Sequence, residues 1–564
     1  MKSEGAVQVG GGNGATWLDT WWTVLIARIQ GRYRPTTRII TVVTLALFLS
    51  IYSLRSFDPV TLPSSISPQE QTVPSRHNFL HLLTPATKSD VNLCKTILSA
   101  SVLNYSTPTL INWGKRFTED GLSNGGAHLF KISGILNYLN EVGPEGNDDL
   151  IVIVDGYDTW FQLGPDVLLS RYNSINRQAN DRIFKRLCRS RSCPFDPFSH
   201  ISQHILFSSQ KKCWPHSPDE LACHAAPAST LPEDVYGPET DVPYPDDENP
   251  FLRTRGRYLN SGFAIGPVKA MRRVFEEAER RMKIDDHAGS DQGVLSDIFA
   301  TQEYAREILR RKYYAEHPTQ RFFLGLSTFV FGRSSFDRDR EAVLQPSATK
   351  EVLALDESSL TSIQSLDYGI GLDYTSELSH VTVFAQRDAD WITYPPSSST
   401  PSRYWNILPM NIKSLPPTFT SFIPPPPLPN VTTWDNIPLY TNLFTKTIPL
   451  SVHHNAWQRN MKDLRQKMWG QMWWNPQAFE LLAAHAVGPR VPIVSEEIEG
   501  DEQISRIERA PMTRTSKTTN IKEYWSPVEN KGGARADNGT WIEWDDLCGK
   551  WAEELFDFSD SSEN

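Results

Sequence analysis

The stretch that most constrains this chain is Asp149-Leu150-Ile151-Val152-Ile153-Val154-Asp155-Gly156-Tyr157-Asp158. Five uninterrupted apolar residues are too few for a core helix, and Val and Ile favour extended backbone. Leu150 to Val154 therefore reads as a strand of a parallel sheet, buried on both faces. The run ends abruptly in two carboxylates, Asp155 and Asp158. Ligands of open α/β sheets bind just beyond the carboxyl ends of the strands. A pair of acids there suits a hard divalent cation that also holds substrate phosphates. Asp and Gly are also common at ordinary strand-to-turn exits, so the rest of the chain must distinguish the two readings.

The neighbouring pattern places this strand in an α/β sheet. Asn78 to Thr84 is a candidate first strand, Val91 to Tyr105 reads as a helix, and Thr109 to Ile111 as a short strand. In Lys131 to Leu139, the apolar residues Ile132, Ile135, Leu136 and Leu139 recur at helical spacing. The strand before Asp155 follows, and the resulting strand-helix alternation predicts a mostly parallel sheet. Further on, a helix starts at Val167, and Ile205 to Phe207 is a short strand. Tyr258 to Gly266 is a strand and turn, and Pro267 opens an amphipathic helix as its first residue. Asp291 to Arg311 is another helix, His380 to Phe384 and Ile448 to Val452 are strands, and a Trp- and Met-rich helix ends near Ala484. Residues 216–256 read as an insertion loop, and Pro416 to Pro429 as a stiff connector. The predicted folded domain is 77–485, followed by a polar, largely disordered tail over 486–564.

The amino-terminal region carries a topological signal. Ile39 to Leu54 contains no charge and lies between Arg38 and Arg55. It is short against the ~20 residues of a full span. A removed signal peptide is the competing reading, but the 38 preceding residues are long for one and no clean cleavage site follows. Lys2, Arg28, Arg32, Arg34 and Arg38 outweigh Glu4 and Asp19 there, which predicts a cytosolic tail (1–38), a single-pass type II anchor (39–54) and a flexible stem (55–76). The folded part would then lie in the lumen of the Golgi or endoplasmic reticulum. All six cysteines follow the anchor, and Cys188–Cys193 and Cys213–Cys223 are near enough to pair there. So are three glycosylation sequons, beginning at Asn104, Asn430 and Asn538. With a formal net charge of −10 and no basic stripe, the composition argues against a nucleic-acid partner.

With these pieces in order, the chain resembles the glycosyltransferase domain of the lysyl hydroxylase / procollagen glycosyltransferase family, which has the GT-A fold. The motifs that carry the resemblance run from Leu98 to Ser106, then Trp113-Gly-Lys with Gly125-Gly126, and Asp155-Gly-Tyr-Asp158. They continue through Phe207-Ser208, Cys213-Trp214-Pro215, Tyr258-Leu-Asn-Ser-Gly262 with Ile265-Gly266, Ser290-Asp291-Gln292 and Val452-His453-His454-Asn455. The resemblance covers residues 77–460 and lacks an attached hydroxylase part.

It implies that Asp155, Asp158 and His453 bind Mn²⁺, which bridges the diphosphate of a UDP-sugar donor. His453 is preferred to His454 by register. Asp291 would contact sugar hydroxyls or act as a base toward a protein or glycan acceptor, or it would only cap its helix. Trp214 would wall the pocket by stacking, and Asn260, Asn455 and Gln210 would line the donor site. Lys131 is out of register with the family's lysine and is expected on the surface. Three departures stand out. Gln210 replaces an acid, Ser290 stands where an acid precedes Asp291, and Ala456 takes the place of a glycine. Glutamine cannot act as a base, so an altered acceptor and a catalytically inactive nucleotide-sugar-binding or chaperone-like protein both remain open.

Overall fold

The computed structural model describes residues 77–117, 126–187, 201–244, 249–283, 290–316, 318, 364–394, 437–456, 465–498 and 520–556. The expected cytosolic tail, anchor and stem lie outside the described residues, as do Cys188, Cys193, Asn430 and the connector Pro416 to Pro429. Among the described residues, no helix is long and apolar enough to cross a membrane.

The first strand, β1 (Asn78–Pro85), leads into α1 (Val91–Val102), whose start is capped by Asp90: its carboxylate accepts from Asn92 N at 2.8 Å. Next come β2 (Thr109–Ile111), α2 (Gly126–Glu141), β3 (Leu150–Val154), β4 (Thr159–Phe161) and α3 (Pro165–Leu187). Then follow β5 (Ile205–Gln210), the single turn α4 (Leu221–His224), β6 (Tyr258–Pro267), α5 (Val268–Met282), α6 (Asp291–Glu316) and β7 (Ile370–Asp373). After these the chain forms β8 (Ser379–Val381), β9 (Ala389–Tyr394), β10 (Ile437–Asn442) and β11 (Ser451–His453).

All five residues of β3 are buried because alternate side chains enter two different cores. Val152 and Val154 pack with Leu93, Ile97 and Leu98 of α1, whereas Ile151 and Ile153 pack with Ile132, Ile135 and Leu139 of α2 and Met271, Val274 and Phe275 of α5. Each such side chain contributes about 1.5–3 kcal/mol of burial. The two-sided demand is why this strand shows no polar alternation.

Among the described residues the central sheet has ten strands, with β3 between β1 and β6. The pairs β1–β2, β1–β3 and β5–β7 are parallel, while β6 runs antiparallel to both β3 and β5. The result is an α/β fold with a mixed, mostly parallel sheet, compatible with a Rossmann-like arrangement. Because β6 is reversed, its amino-terminal half, which carries Asn260 and Gly262, reaches the same rim as the carboxyl end of β3. A separate small sheet, β4-β11-β8, stands beside that rim.

Several boundaries differ from expectation. The folded region does not stop at residue 485. After α7 (Ala478–Val487), β12 (Val494–Ile498) pairs with β13 (Asn520–Trp525), and β13 lies parallel to β1. Next, β14 (Gly533–Ala536) joins β2 in parallel, and β15 (Trp541–Glu543) leads to α8 (Trp544–Cys548) and α9 (Ala552–Phe556). Cys548 forms a disulfide with Cys94 of α1. These strands are short and half polar: Tyr524, Ala534 and Ala536 face inward while Ile521 is exposed, so they present no apolar run. The strand predicted over His380 to Phe384 ends at Val381, and Phe384 takes a left-handed φ of 60°. Pro267 is the cap of α5 rather than its first residue.

Candidate metal centre

Each of the three expected metal ligands is delivered by a different local device. Asp155 follows β3 directly, and its N–H donates to Gly262 O of β6 at 3.0 Å. Gly156 comes next, and a Cβ there would meet Pro85 O at 2.6 Å, so only glycine lets this turn lie over the end of β1. Asp158 precedes β4, whose Thr159 is paired with His453 of β11. His454 N donates to Asp158 O at 2.6 Å, locking the two segments together.

The imidazole of His453 packs against β6 at Gly262. A Cβ on Gly262 would stand 2.0 Å from His453 Cε1, so the glycine is what lets the ring approach the strand. His453 Nδ1 is 3.1 Å from Asn260 Oδ1, which also accepts from Gly262 N and Ser208 Oγ. An oxygen on that side requires the proton on Nδ1, and it aims Nε2 at the carboxylates. Nε2 stands 3.5 Å from Asp155 Oδ2 and 3.4 Å from Asp158 Oδ1. His454 faces the other way, with its ring centroid 4.0 Å from that of Trp160, and burial lowers its pKa to about 3.

Lys131 is not on the surface. It is buried on the second turn of α2, with Nζ 2.6 Å from Asp155 Oδ1, 3.2 Å from Ser261 O and 3.0 Å from Asp291 Oδ2. Lys131 stands four residues before Ile135 and so lies on the buried face of α2. Burial pushes the Asp155 carboxyl up, but the Lys131 ammonium and the His453 ring more than reverse it, leaving its pKa well below the carboxylate range. Burial lowers the His453 pKa, and Asp158 and Asp155 together raise it to about 9.

Asp291 is the first residue of α6, not its cap. Ser290 caps that helix, its Oγ accepting from Gly293 N at 3.4 Å and its carbonyl from Val294 N at 3.3 Å. This explains why the position tolerates serine and frees Asp291 to face Lys131. Although Asp291 Oδ2 is buried and close to that ammonium, it accepts no well-aligned hydrogen bond. A chain of amides runs beside it. Asn260 Nδ2 donates to Gln210 Oε1 and to Gln292 Oε1, each at 3.0 Å, and Gln292 Nε2 donates to Trp214 O at 2.7 Å. Gln292 is not among the expected site residues, although it belongs to the Ser290-Asp291-Gln292 motif. The Trp214 side chain is 50% exposed on a loop stapled by Cys213–Cys223 and held to α6 through His216, whose Nε2 lies 3.1 Å from Gly293 O. Asn455 is engaged elsewhere: its Oδ1 accepts from Val383 N at 3.0 Å and its carbonyl from Thr382 Oγ1 at 2.7 Å. It therefore braces the loop after β8 and is not part of the Asp/His cluster.

The donor set fits a cation. One ligand atom each from Asp155, Asp158 and His453 lies within 4.8 Å of the others, so these residues could hold a metal ion. With His453 neutral, as a metal ligand must be, Asp155, Asp158 and Asp291 against Lys131 leave a formal −2, the charge a divalent ion balances. No protein-family model matches the chain, and a comparison with curated proteins finds no match.

Proposed function

We propose that this chain is a metal-dependent glycosyltransferase with a GT-A-type domain, transferring a hexose from a UDP-sugar to a protein or glycan acceptor in the lumen of the Golgi or endoplasmic reticulum. The reading joins the resemblance to the lysyl hydroxylase / procollagen glycosyltransferase family to a single structural observation. That observation is the Asp155–Asp158–His453 cluster at the carboxyl rim of a mostly parallel sheet.

In this reading Asp155, Asp158 and His453 Nε2 hold Mn²⁺. When bound, the ion supplies Lewis-acid stabilisation of the departing UDP, a large electrostatic requirement of glycosyl transfer. The remaining work falls to the chain's own groups. Lys131 fixes the Asp155 carboxylate and sets its ammonium 3.0 Å from Asp291 Oδ2. Asp291 Oδ2, buried and lacking an aligned donor, is suited to accept from a sugar or acceptor hydroxyl. The exposed Trp214 ring offers a stacking face for a pyranose. Asn260 holds the tautomer of His453 and, with Gln210 and Gln292, sets the polar wall between the metal ligands and Trp214.

A catalytically inactive nucleotide-sugar binder is the second reading. It is favoured by Gln210, which spends its amide on Asn260 and Lys212 O and brings no base to the site. Incubating the chain with a panel of sugar nucleotides and Mn²⁺ and measuring free UDP separates the two. Donor-specific UDP release supports the transferase. Mn²⁺-dependent UDP binding without release from any donor or acceptor supports the binder.

A further inference from the structure

The three sequons differ in what the fold does with them. Asn104 follows α1 in a left-handed conformation with φ 59°, and the rest of its tripeptide is closed off. Tyr105 is buried, and Ser106 is 1% exposed with its hydroxyl donating to Leu80 O. Asn430 lies outside the described residues. Asn538-Gly539-Thr540 is presented whole, since all three residues are exposed at the tip of the β14–β15 hairpin.

The geometry of that tip suits an acceptor. Asn538 Oδ1 accepts from Thr540 N at 3.0 Å, folding the side chain over the tripeptide as an Asx-turn. Nδ2, the atom that would be modified, donates to no described residue. Gly539 has φ +88°, a conformation open to glycine, and a Cβ there would find only Arg535 Nη2, at 3.6 Å, so no bulky side chain crowds the turn. The base of the tip is fixed. Ala536 N donates to Thr540 O at 2.8 Å, and Asp537 N donates to Leu110 O at 2.9 Å. The Asp537 carboxylate in turn accepts from Asn112 N at 2.8 Å and from Lys115 Nζ at 3.1 Å. Because β14 runs parallel to β2, and β2 to β1 and β3, the tip stands on the same rim of the sheet as Asp155.

We infer that Asn538 is an N-glycosylation site of this chain, a conclusion that rests on the lumenal placement proposed above. The donor class is an oligosaccharide carried on a polyprenyl diphosphate. The Asn538 Nδ2–C1 bond forms and the bond from C1 to the diphosphate oxygen breaks. The lipid diphosphate leaves, and the amide proton passes to a base of the transferring enzyme. Asn104 stays unmodified in the folded chain.

The test is expression of the full chain in eukaryotic secretory cells, followed by site-resolved peptide mass analysis before and after enzymatic removal of Asn-linked glycans. The expected result is a glycan on the peptide carrying Asn538, lost in both Asn538→Gln and Thr540→Ala and retained in Asn104→Gln. An unmodified Asn538 in molecules whose Cys94–Cys548 bond is oxidised, and which are protected from protease in sealed microsomes, overturns the site while leaving the lumenal reading intact. A chain digested by protease outside sealed microsomes overturns the lumenal reading and the site with it.

Discussion

Replacing Lys131 by Met tests the electrostatic reading of the site most sharply. In the metal-free chain Lys131 is the counter-ion of two acids, Asp155 at 2.6 Å and Asp291 at 3.0 Å, and Asp291 is nearly buried. Truncating one member of a buried ion pair costs about 3–5 kcal/mol, because the partner stays charged and unpaired. One third of the Asp155 side chain reaches solvent, so the lower figure, about 3 kcal/mol, is expected. A divalent cation bound by Asp155, Asp158 and His453 would replace much of that lost positive charge. The variant should therefore unfold at lower urea without metal, and saturating Mn²⁺ should recover more stability in it than in the parent. Urea unfolding followed by tryptophan fluorescence, with and without Mn²⁺, measures both. Equal metal-free stability of the two chains, or equal gains from Mn²⁺, would refute the argument that Lys131 and the metal neutralise the same carboxylates.

Other consequences are as direct. Gly262→Ala places a methyl in the His453 ring, so Mn²⁺ affinity measured by calorimetry should fall at least tenfold while the circular dichroism spectrum is retained. Replacing Cys94 and Cys548 together by Ser opens the link between α1 and α8, and urea unfolding should show a loss of about 3–5 kcal/mol. His380 is buried and neutral, its Nε2 3.2 Å from Ala385 O, and burial lowers its pKa to about 4. Its folded value lies below the unfolded ~6.5, so its contribution is complete above that pH and is lost as pH falls toward about 4. The loss amounts to about 3 kcal/mol, and His380→Gln should flatten the urea-midpoint curve in that window. An unchanged slope contradicts the assignment.

How much of this was legible in the sequence depended on the range of the interaction. Leu150 to Val154 could be read at once, because a strand between two cores must be apolar at every position. The preference for His453 over His454 came from register with the family's motif; strand alternation predicts only that the two rings face opposite ways, and the structure turns them to opposite sides. Lys131 was misread because a buried lysine is specified by its partners on β3 and α6, which local periodicity does not reveal. The tail was misread because β13 and β14 complete the sheet by pairing with β1 and β2, which lie more than four hundred residues earlier. Short, half-polar segments acquire their meaning only from that pairing. The same holds for Cys94 and Cys548, with a sequence separation of 454 that no local spacing could suggest.

The central claim is that Asp155, Asp158 and His453 hold a divalent ion that in turn holds a nucleotide diphosphate. Calorimetric titration of UDP into the full chain, with Mn²⁺ and with chelator, tests it directly when repeated on the Asp155→Ala, Asp158→Ala double variant. The expected result is binding that requires Mn²⁺ in the parent and is absent in the folded double variant. Binding that is unchanged by chelation, or unchanged by loss of both aspartates, would contradict it.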